Sequence, residues 1–475
     1  MKSQLYRNDF VEFVQDIYRT KDFIPLHAPR FGDMERNYVL DTLDSTFVSS
    51  VGEYVDEFEC RLSKYTGAKH VVAIINGTAA LHTALLMCGV QPEDEVVTTP
   101  LTFIATCNAV HYCGAQPVFV DVEWETLGLS PESLAMFLDN CAEVRDDHLC
   151  WNKKSGRVIR ACIPIHNLGH PARVQEIQEI CKAYNILVVE DAAESLGSFT
   201  SGTHTGRIGQ IGILSFNGNK IITTGGGGAL MTDDKEIARR AKHLTTTAKK
   251  PHPWLFLHDQ IGYNYRLPNI NAALGCAQIE QLPTFVNKKR NLAHQYRNWF
   301  AERGQEFVSE PLGAASNYWL NSIVLSNVDE RDKFLTFTQK TIYEGELNED
   351  GVEIPTKQNC VSWGKILPER TLSVFHFTPS LYNYSDDTER IIYLDCSMEM
   401  VKELWDKGDM RTLGSHIIET EYMTKEKERE GLNRSYKRRK GSGVSINVYE
   451  VETYRRNREE LFGDTGQISL VGLWT

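Results

Sequence analysis

The lysine at position 220 stands between a short apolar strand, 211–216, and a run of four glycines, 225–228. Glycines allow a tight backbone turn and the close approach of other groups. Two chemistries favour a lysine in this setting: contact with a phosphate beside a glycine-rich loop, and Schiff-base formation by a desolvated amine. A surface lysine before a glycine hairpin is the simpler alternative for this segment taken alone.

The order of the residues separates the two chemistries. A phosphate-binding loop of the pattern Gly-x-x-x-x-Gly-Lys-Ser/Thr needs a glycine before the lysine and a hydroxyl after it. Here the glycines follow Lys220, and Ile221 stands where the hydroxyl is needed. The pattern therefore favours a Schiff-base lysine.

A second candidate lies at Gly77 and Thr78, between a predicted strand, 69–75, and a predicted helix, 79–88. Such a turn places free backbone N–H groups and a hydroxyl at a helix N-terminus, where a phosphate can bind. Plain capping of the helix is the alternative reading of the same residues.

An aromatic residue and a carboxylate follow at two further turns. Phe103 precedes a predicted helix, 104–113, and can either lie over a flat ligand or pack in the core. Asp191 ends an apolar strand, 186–191, at the edge where open α/β sheets bind their ligands. Capping of a following helix is the alternative role for Asp191.

Alternating strands and helices must position these groups. Strands are predicted over 69–75, 95–100, 116–121, 158–165, 186–191 and 211–216, and helices over 53–65, 79–88, 104–113, 174–184 and 272–282. This alternation predicts an α/β fold with a mostly parallel sheet covered by helices.

Composition sets limits on the class of protein. The 475 residues, 41% of them hydrophobic, can form two or three domains, and 51 basic against 63 acidic residues give a net charge of −12. This charge argues against a nucleic-acid or anionic-membrane binder. Without a signal peptide or an apolar run of about 20 residues, the protein is expected in the cytoplasm. Eleven cysteines without Cys-x-x-Cys predict reduced thiols and no metal site.

From about residue 47 to about residue 325, somewhat over half its length, the chain resembles the sugar-nucleotide aminotransferases of the DegT/StrS type. The stretches that carry the resemblance are 48–55, 76–82, 101–106, 164–171, 190–195 and the Lys220 loop. Segments 48–55, 215–220 and 317–321 most resemble the branch that aminates UDP-linked 4-keto-6-deoxy-2-acetamido sugars, including the legionaminic-acid pathway enzyme.

The resemblance implies a fold type I enzyme that uses pyridoxal 5′-phosphate, with a large domain and a smaller C-terminal α/β domain. Lys220 would hold the cofactor covalently, and Asp191 would pair with the pyridine nitrogen and make the ring an electron sink. Phe103 would stack on the ring and Glu194 would approach its phenolic side. The phosphate would be bound by the backbone of Gly77, Thr78 and Ala79 and by the hydroxyls of Thr78 and Ser215.

The resemblance also implies a homodimer with shared active sites. Segment 262–268 resembles the family segment that crosses a dimer interface, where Asn264 would reach the phosphate of the neighbouring subunit. A turn residue before a helix is the alternative role for Asn264. Ser50 and His166 are predicted to contact the substrate, although a structural histidine is an equal alternative at position 166.

We predict an N-terminal segment over 1–45, a cofactor-binding domain over 46–285 and a C-terminal domain over 286–475. Beyond about residue 340 the chain no longer matches the family pattern. A strand and a helix are predicted over 390–396 and 398–405. The charged tract 421–440 is expected to be a solvated helix face or loop, with a site for UDP phosphates or another polyanion as the alternative.

The predicted activity moves an amino group from L-glutamate to C4 of a nucleotide-linked, UDP-type 4-keto-6-deoxy sugar. The alternative is a protein that binds the cofactor for regulation and whose altered C-terminal region no longer supports turnover. A dehydratase offshoot of this fold replaces the Schiff-base lysine by histidine, and Lys220 argues against it.

Overall fold

The computed structural model describes residues 2–22, 24–325, 327–342 and 470–473. Across these residues the helices are α1 Lys2–Tyr18, α2 Asp33–Asp44, α3 Glu53–Thr66, α4 Gly77–Met87, α5 Ala105–Tyr112, α6 Pro131–Cys141, α7 Val174–Ala183, α8 Lys235–Thr245, α9 Asn269–Ala301 and α10 Val328–Ile342. A 3-10 turn covers Asn167–Gly169.

The strands are β1 His70–Ile74, β2 Glu95–Thr98, β3 Gln116–Phe119, β4 Ala142–Val144, β5 Cys150–Asn152, β6 Ile159–Cys162, β7 Leu187–Asp191, β8 Phe199–Thr200, β9 Thr203–His204, β10 Ile211–Ser215, β11 Gly228–Thr232, β12 Lys249–Lys250, β13 Leu257–His258, β14 Ala314–Ala315, β15 Asn321–Val324 and β16 Leu470–Leu473. The six strands and five helices predicted between residues 53 and 282 all form, most of them within two residues of the predicted ends.

A central sheet of seven strands has the order β1-β11-β10-β7-β6-β2-β3. The pairs from β10 to β3 are all parallel, and β11 is antiparallel to both of its neighbours. The predicted α/β fold with a mostly parallel sheet is confirmed. Because β11 reverses the direction twice, β1 runs the same way as β10, and the carboxyl ends of six strands lie at one edge.

Apolar residues follow one another along the strands, and because successive side chains point to opposite faces, they cover both faces of the sheet. In β1, Val72 and Ile74 face a core formed with helices α4, α5 and α8, whereas Val71 and Ala73 face a core formed with α3 and α9. A third core lies between the β2, β3 and β6 side of the sheet and helices α6 and α7. Helices on both faces leave the strand ends as the place where polar groups can meet.

The pairing of β11 with both β1 and β10 brings the Lys220 loop to the turn that follows β1. Gly228, the first residue of β11, pairs with Ile74 on one side and with Ser215 on the other. A Cβ atom added to Gly228 would lie 2.5 Å from the carbonyl carbon of Asn76. Glycine at this position therefore allows the turn after β1 to lie directly against β11.

Helix α9 is longer than predicted. The sequence predicts this helix over 272–282, yet it continues through Pro283 and for 18 residues beyond that proline to Ala301. Proline removes one intrahelical hydrogen bond, at a cost of about 3 kcal/mol. Burial of Ala293, Tyr296 and Phe300 in the second half of the helix offsets that cost.

The chain forms two compact units, the larger of which consists mainly of residues 27–321. In the other unit α1 packs against α10, with the rings of Phe10 and Phe334 5.3 Å apart. The predicted elements at 390–405 and the charged tract 421–440 lie outside the described residues.

No helix among the described residues is both long and apolar enough to cross a bilayer. The nine cysteines of the described ranges are free thiols, and all of them except Cys60 are buried. Cys360 and Cys396 lie beyond these ranges.

Gly228→Ala should lower the melting temperature of the protein by about 5 °C, because its methyl group overlaps backbone atoms that cannot move without shifting β1. Gly226→Ala is the matched control, since a Cβ atom there meets only Ile75 O, at 4.0 Å. Differential scanning calorimetry of both variants tests this. Equal melting temperatures for the two variants would contradict the packing argument.

Candidate active site

The start of α4 forms the first part of the site. Asn76 caps the helix, and its Oδ1 accepts a hydrogen bond of 2.8 Å from Ala79 N. A Cβ atom on Gly77 would lie 2.9 Å from Ser215 Cβ, so the absence of a side chain lets the Ser215 hydroxyl approach the helix N-terminus. Two amides, a hydroxyl and the positive end of the helix dipole are a fitting environment for a phosphate dianion.

The amides predicted to bind the phosphate differ in their present hydrogen bonds. The first amides of a helix have no carbonyl one turn earlier to bond with, and those of Gly77 and Thr78 are in this position. The amide of Ala79 donates to the Asn76 cap. The phosphate contacts of all three amides stay predictions.

Asp191 lies at the carboxyl end of β7 and is 6% exposed. Its Oδ2 accepts 2.8 Å from Thr106 Oγ1, and its Oδ1 accepts 3.2 Å from Ala193 N. The Thr106 hydroxyl also bonds that of Thr102, at 2.8 Å. A turn and not a helix follows Asp191, so the capping alternative for this carboxylate is wrong.

Burial raises the pKa of the Asp191 carboxyl, even though the Thr106 hydrogen bond acts in the opposite direction. The adjacent Glu190 is as deeply buried, but its pKa is lowered, because bonds from His166 and from backbone amides outweigh the effect of burial. The protein thus compensates the charge of Glu190 far better than that of Asp191. A protonated pyridine nitrogen would supply that compensation to Asp191, so this carboxylate fits the role predicted for it.

Lys220 and Glu194 form a pair at the centre of the site. The Lys220 side chain is 11% exposed, and its Nζ lies 3.4 Å from Glu194 Oε1. The other carboxylate oxygen of Glu194 accepts 2.8 Å from Leu168 N, which fixes its orientation. Burial raises the pKa of Glu194, and the charge of Lys220 opposes that shift. The pair holds an amine and an acid together in a nearly dry environment.

Phe103 lies on the turn between β2 and α5 and is 51% exposed. The alternative that it belongs to the core is therefore wrong, and an exposed ring at this edge is available to cover a flat ligand. Ser50 is half-buried in the segment before α3. Asn264 is exposed and forms an antiparallel β-bridge with Thr246. The ligand contacts of these three residues stay predictions.

His166 does not face open space. It is fully buried, its Nδ1 accepts 3.0 Å from Ala172 N, and its Nε2 lies 3.0 Å from Glu190 Oε2. Both ring nitrogens therefore have partners within the protein. The prediction that His166 contacts the sugar is wrong in this geometry, and the structural alternative holds.

Sequence reasoning missed three residues that support the site. Thr106 bonds Asp191, Asn317 donates to the backbone of Glu194, and the ring of Trp319 lies against Lys220 Nζ. All three lie in segments that carry the family resemblance, 101–106 and 317–321. Nothing in the sequence marked the Thr106 hydroxyl as a partner of Asp191, or placed Asn317 and Trp319 beside Lys220, about 100 positions earlier.

The phosphate cradle at α4, the buried acid at β7 and the shielded lysine fit pyridoxal 5′-phosphate. This arrangement at the carboxyl edge of a mostly parallel sheet defines the class of pyridoxal-phosphate-dependent aminotransferases of fold type I. Residues 29–347 match the model of the DegT/DnrJ/EryC1/StrS aminotransferase family. The chain belongs to this family and is a sugar aminotransferase.

Individual relatives agree with this assignment. The chain is 36% identical to the GDP-perosamine synthase of Escherichia coli O157:H7 over 311 residues, which are 66% of this chain and 80% of the relative. The structure of the aminotransferase TlmJ from Streptoalloteichus hindustanus matches with a TM-score of 0.59 and 28% identity over 66% of this chain and 81% of that one. S. venezuelae DesV, solved in complex with a ketimine intermediate, matches with a TM-score of 0.56 and 26% identity over 64% and 76%.

Asp191→Asn should stabilise the cofactor-free protein while it disables the enzyme. Burial raises the pKa of Asp191, so the folded state disfavours the ionised form, and this penalty applies at pH values above the raised pKa. At pH 7.5 we expect a gain of about 2 °C in melting temperature, which shrinks towards pH 4, and a loss of about a hundredfold in transamination. Thermal melts at both pH values test this, and a gain that grows towards pH 4 would contradict it.

Proposed function

We propose that this sugar aminotransferase transfers the amino group of L-glutamate to C4 of a UDP-linked 4-keto-6-deoxy sugar. The pairing of Lys220 with Glu194 beside the buried Asp191 is the observation that carries the transfer chemistry. The choice of UDP rests on segments 48–55, 215–220 and 317–321. The name of the Escherichia coli relative instead contains GDP, so the nucleotide must be tested directly.

Each part of the chain has its own task in this chemistry. The bound cofactor supplies a carbonyl for amine exchange and a ring that withdraws electrons. Asp191 keeps the pyridine nitrogen protonated, which maintains that withdrawal. The Lys220 amine removes a proton from one carbon and returns it to another, as a general base and then a general acid. Gly77 and Thr78 bind the phosphate and so orient the ring relative to Lys220.

We also propose that the protein is a homodimer whose active sites are shared. Exposed apolar residues support this proposal. Trp254 and Phe256, between β12 and β13, are 85% and 81% exposed, and Ile261 is 84% exposed. Clustered apolar side chains of this kind mark a surface that a partner covers. Asn264 follows directly on this segment and is itself exposed, as a residue that enters a partner's site must be.

Lys220→Ala should bind the cofactor without a covalent bond. Borohydride treatment of the loaded wild-type protein, followed by peptide mass spectrometry, should place a pyridoxyl group on Lys220, and the variant should carry none. The variant should also lose at least about a thousandfold in turnover, because it lacks both the covalent link and the proton carrier. A pyridoxyl group on any other lysine would overturn the role of Lys220.

The donor and the acceptor can be tested separately. Excess glutamate added to the loaded protein should bleach the absorbance of the lysine-bound cofactor, and a panel of UDP- and GDP-linked 4-keto sugars should then restore it selectively. A band that persists with glutamate would favour the cofactor-binding regulatory protein over the enzyme. Restoration by GDP sugars alone would exclude the UDP assignment but not the transamination.

A mixture of two inactive variants tests the shared site. When Lys220→Ala and Asn264→Ala chains are co-refolded, half of the dimers are mixed, and one site in each mixed dimer has both native residues. The mixture should therefore regain about a quarter of the wild-type activity. Activity no higher than the mean of the two separate variants would show that each site is built from one chain.

A further inference from the structure

Trp319 is held in one orientation by hydrogen bonds of its ring and of its backbone. Its side chain is almost fully buried, at 3% exposure. The indole Nε1 donates 2.7 Å to the carbonyl of Asn219, the residue directly before Lys220. Its backbone amide donates 2.7 Å to Asn317 Oδ1, and its carbonyl accepts 3.0 Å from Lys289 Nζ. The plane of the ring is therefore fixed at both ends.

The same ring faces the lysine amine. Lys220 Nζ lies 4.0 Å from the centre of the Trp319 ring and 3.4 Å from Glu194 Oε1. The face of an indole is the best of the aromatic surfaces for a cation, and its attraction grows as water is removed. An aromatic face and a carboxylate thus contact one ammonium group in a region nearly closed to solvent.

Asn317 connects these two partners of the ammonium group. Its Nδ2 donates 2.9 Å to the carbonyl of Glu194 and 2.9 Å to that of Leu196. The backbone amide of Asn317 donates 2.8 Å to Ser198 Oγ, and its Oδ1 accepts a hydrogen bond from the amide of Trp319. Trp319 and Glu194 are therefore held at a fixed separation by one buried side chain.

A free lysine side chain has four rotatable bonds and gains entropy when it moves away from its site. In the proposed function the Lys220 amine would be free of the cofactor for part of each catalytic cycle, and only noncovalent contacts would then hold it. Glu194 gives the amine one contact. The fixed indole plane gives a second from another direction, which limits the rotamers open to the side chain.

We propose that Trp319 is a positioning residue for Lys220, which together with Glu194 holds the released ammonium group within reach of the cofactor. This inference rests on the proposed function, in which Lys220 carries the cofactor. It assigns a task to a residue that lies in none of the cofactor-binding motifs.

Chemical labelling of the cofactor-free protein tests the proposal without any turnover. Wild type, Trp319→Ala and Trp319→Phe are treated briefly with acetic anhydride at pH 8, and acetylation of each lysine is measured by peptide mass spectrometry. Relative to wild type, Lys220 should react about fivefold faster in Trp319→Ala and about twofold faster in Trp319→Phe, because phenyl is a weaker cation partner than indole and cannot donate to the Asn219 carbonyl. The rate at Lys289 should stay unchanged in Trp319→Phe, since its bond is to a backbone carbonyl.

Trp299→Phe is the matched control. The Trp299 ring also contacts a cation, with the Arg303 guanidinium 3.8 Å from its centre, but it lies in the second half of α9. This variant should leave the Lys220 rate unaltered. If Trp299→Phe accelerates Lys220 as much as Trp319→Phe does, the effect is general loosening, and the proposal fails.

The outcomes separate this inference from the function on which it rests. If Trp319→Ala does not fold, as general acetylation of its lysines would show, Trp319→Phe alone decides. An unchanged Lys220 rate in Trp319→Phe, with the pyridoxyl group still mapped to Lys220, overturns the positioning role and leaves the enzyme assignment intact. A pyridoxyl group on another lysine overturns both.

Discussion

The constraint on which the site depends is the burial of an incompletely compensated carboxylate, Asp191, at the end of β7. A charge removed from water costs free energy unless a partner replaces the solvent. The hydrogen bonds from Thr106 and from the Ala193 amide replace only part of the lost solvation. The uncompensated part of the charge favours a cation at this position, and a protonated ring nitrogen is such a cation. The acid is thus prepared to bind its partner strongly and to keep it charged.

The backbone around this acid brings two distant turns together. Between β1 and β10 stands β11, whose antiparallel direction lets the chain return from the Lys220 loop directly to the turn before α4. Gly228 and Gly77 make the approach possible because neither has a side chain to occupy the space. The turn proposed to bind the phosphate of a flat cofactor and the acid proposed to bind its ring nitrogen thus follow different strands of one sheet.

Much of this arrangement could be predicted from the sequence. Short apolar runs alternating with helical patterns predicted the sheet. Lys220 and Asp191 could be found because each lies next to a strong local signal, a glycine run or a strand end. The hydrogen bonds of Ala79 and His166 could not be predicted, because each depends on one particular partner atom. The Ala79 amide donates to Asn76 Oδ1, and the ring nitrogens of His166 are paired with Glu190 and with the amide of Ala172.

Local sequence rules could predict neither the length of α9 nor the position of Trp319, because both depend on tertiary contacts. Pro283 predicts the end of a helix by local rules, and only tertiary burial of Tyr296 and Phe300 shows that the helix continues. Trp319 follows that helix and meets a lysine that precedes it by about 100 positions, so only the folded chain brings the two together.

The hydrogen bond from Trp319 to Asn219 joins residues 100 positions apart, and this has a consequence for the order of events during synthesis. Every strand of the central sheet precedes α9, so all of them are synthesised before Trp319. Lys220 meanwhile lacks its aromatic neighbour. The sheet can thus assemble before the reactive amine is enclosed.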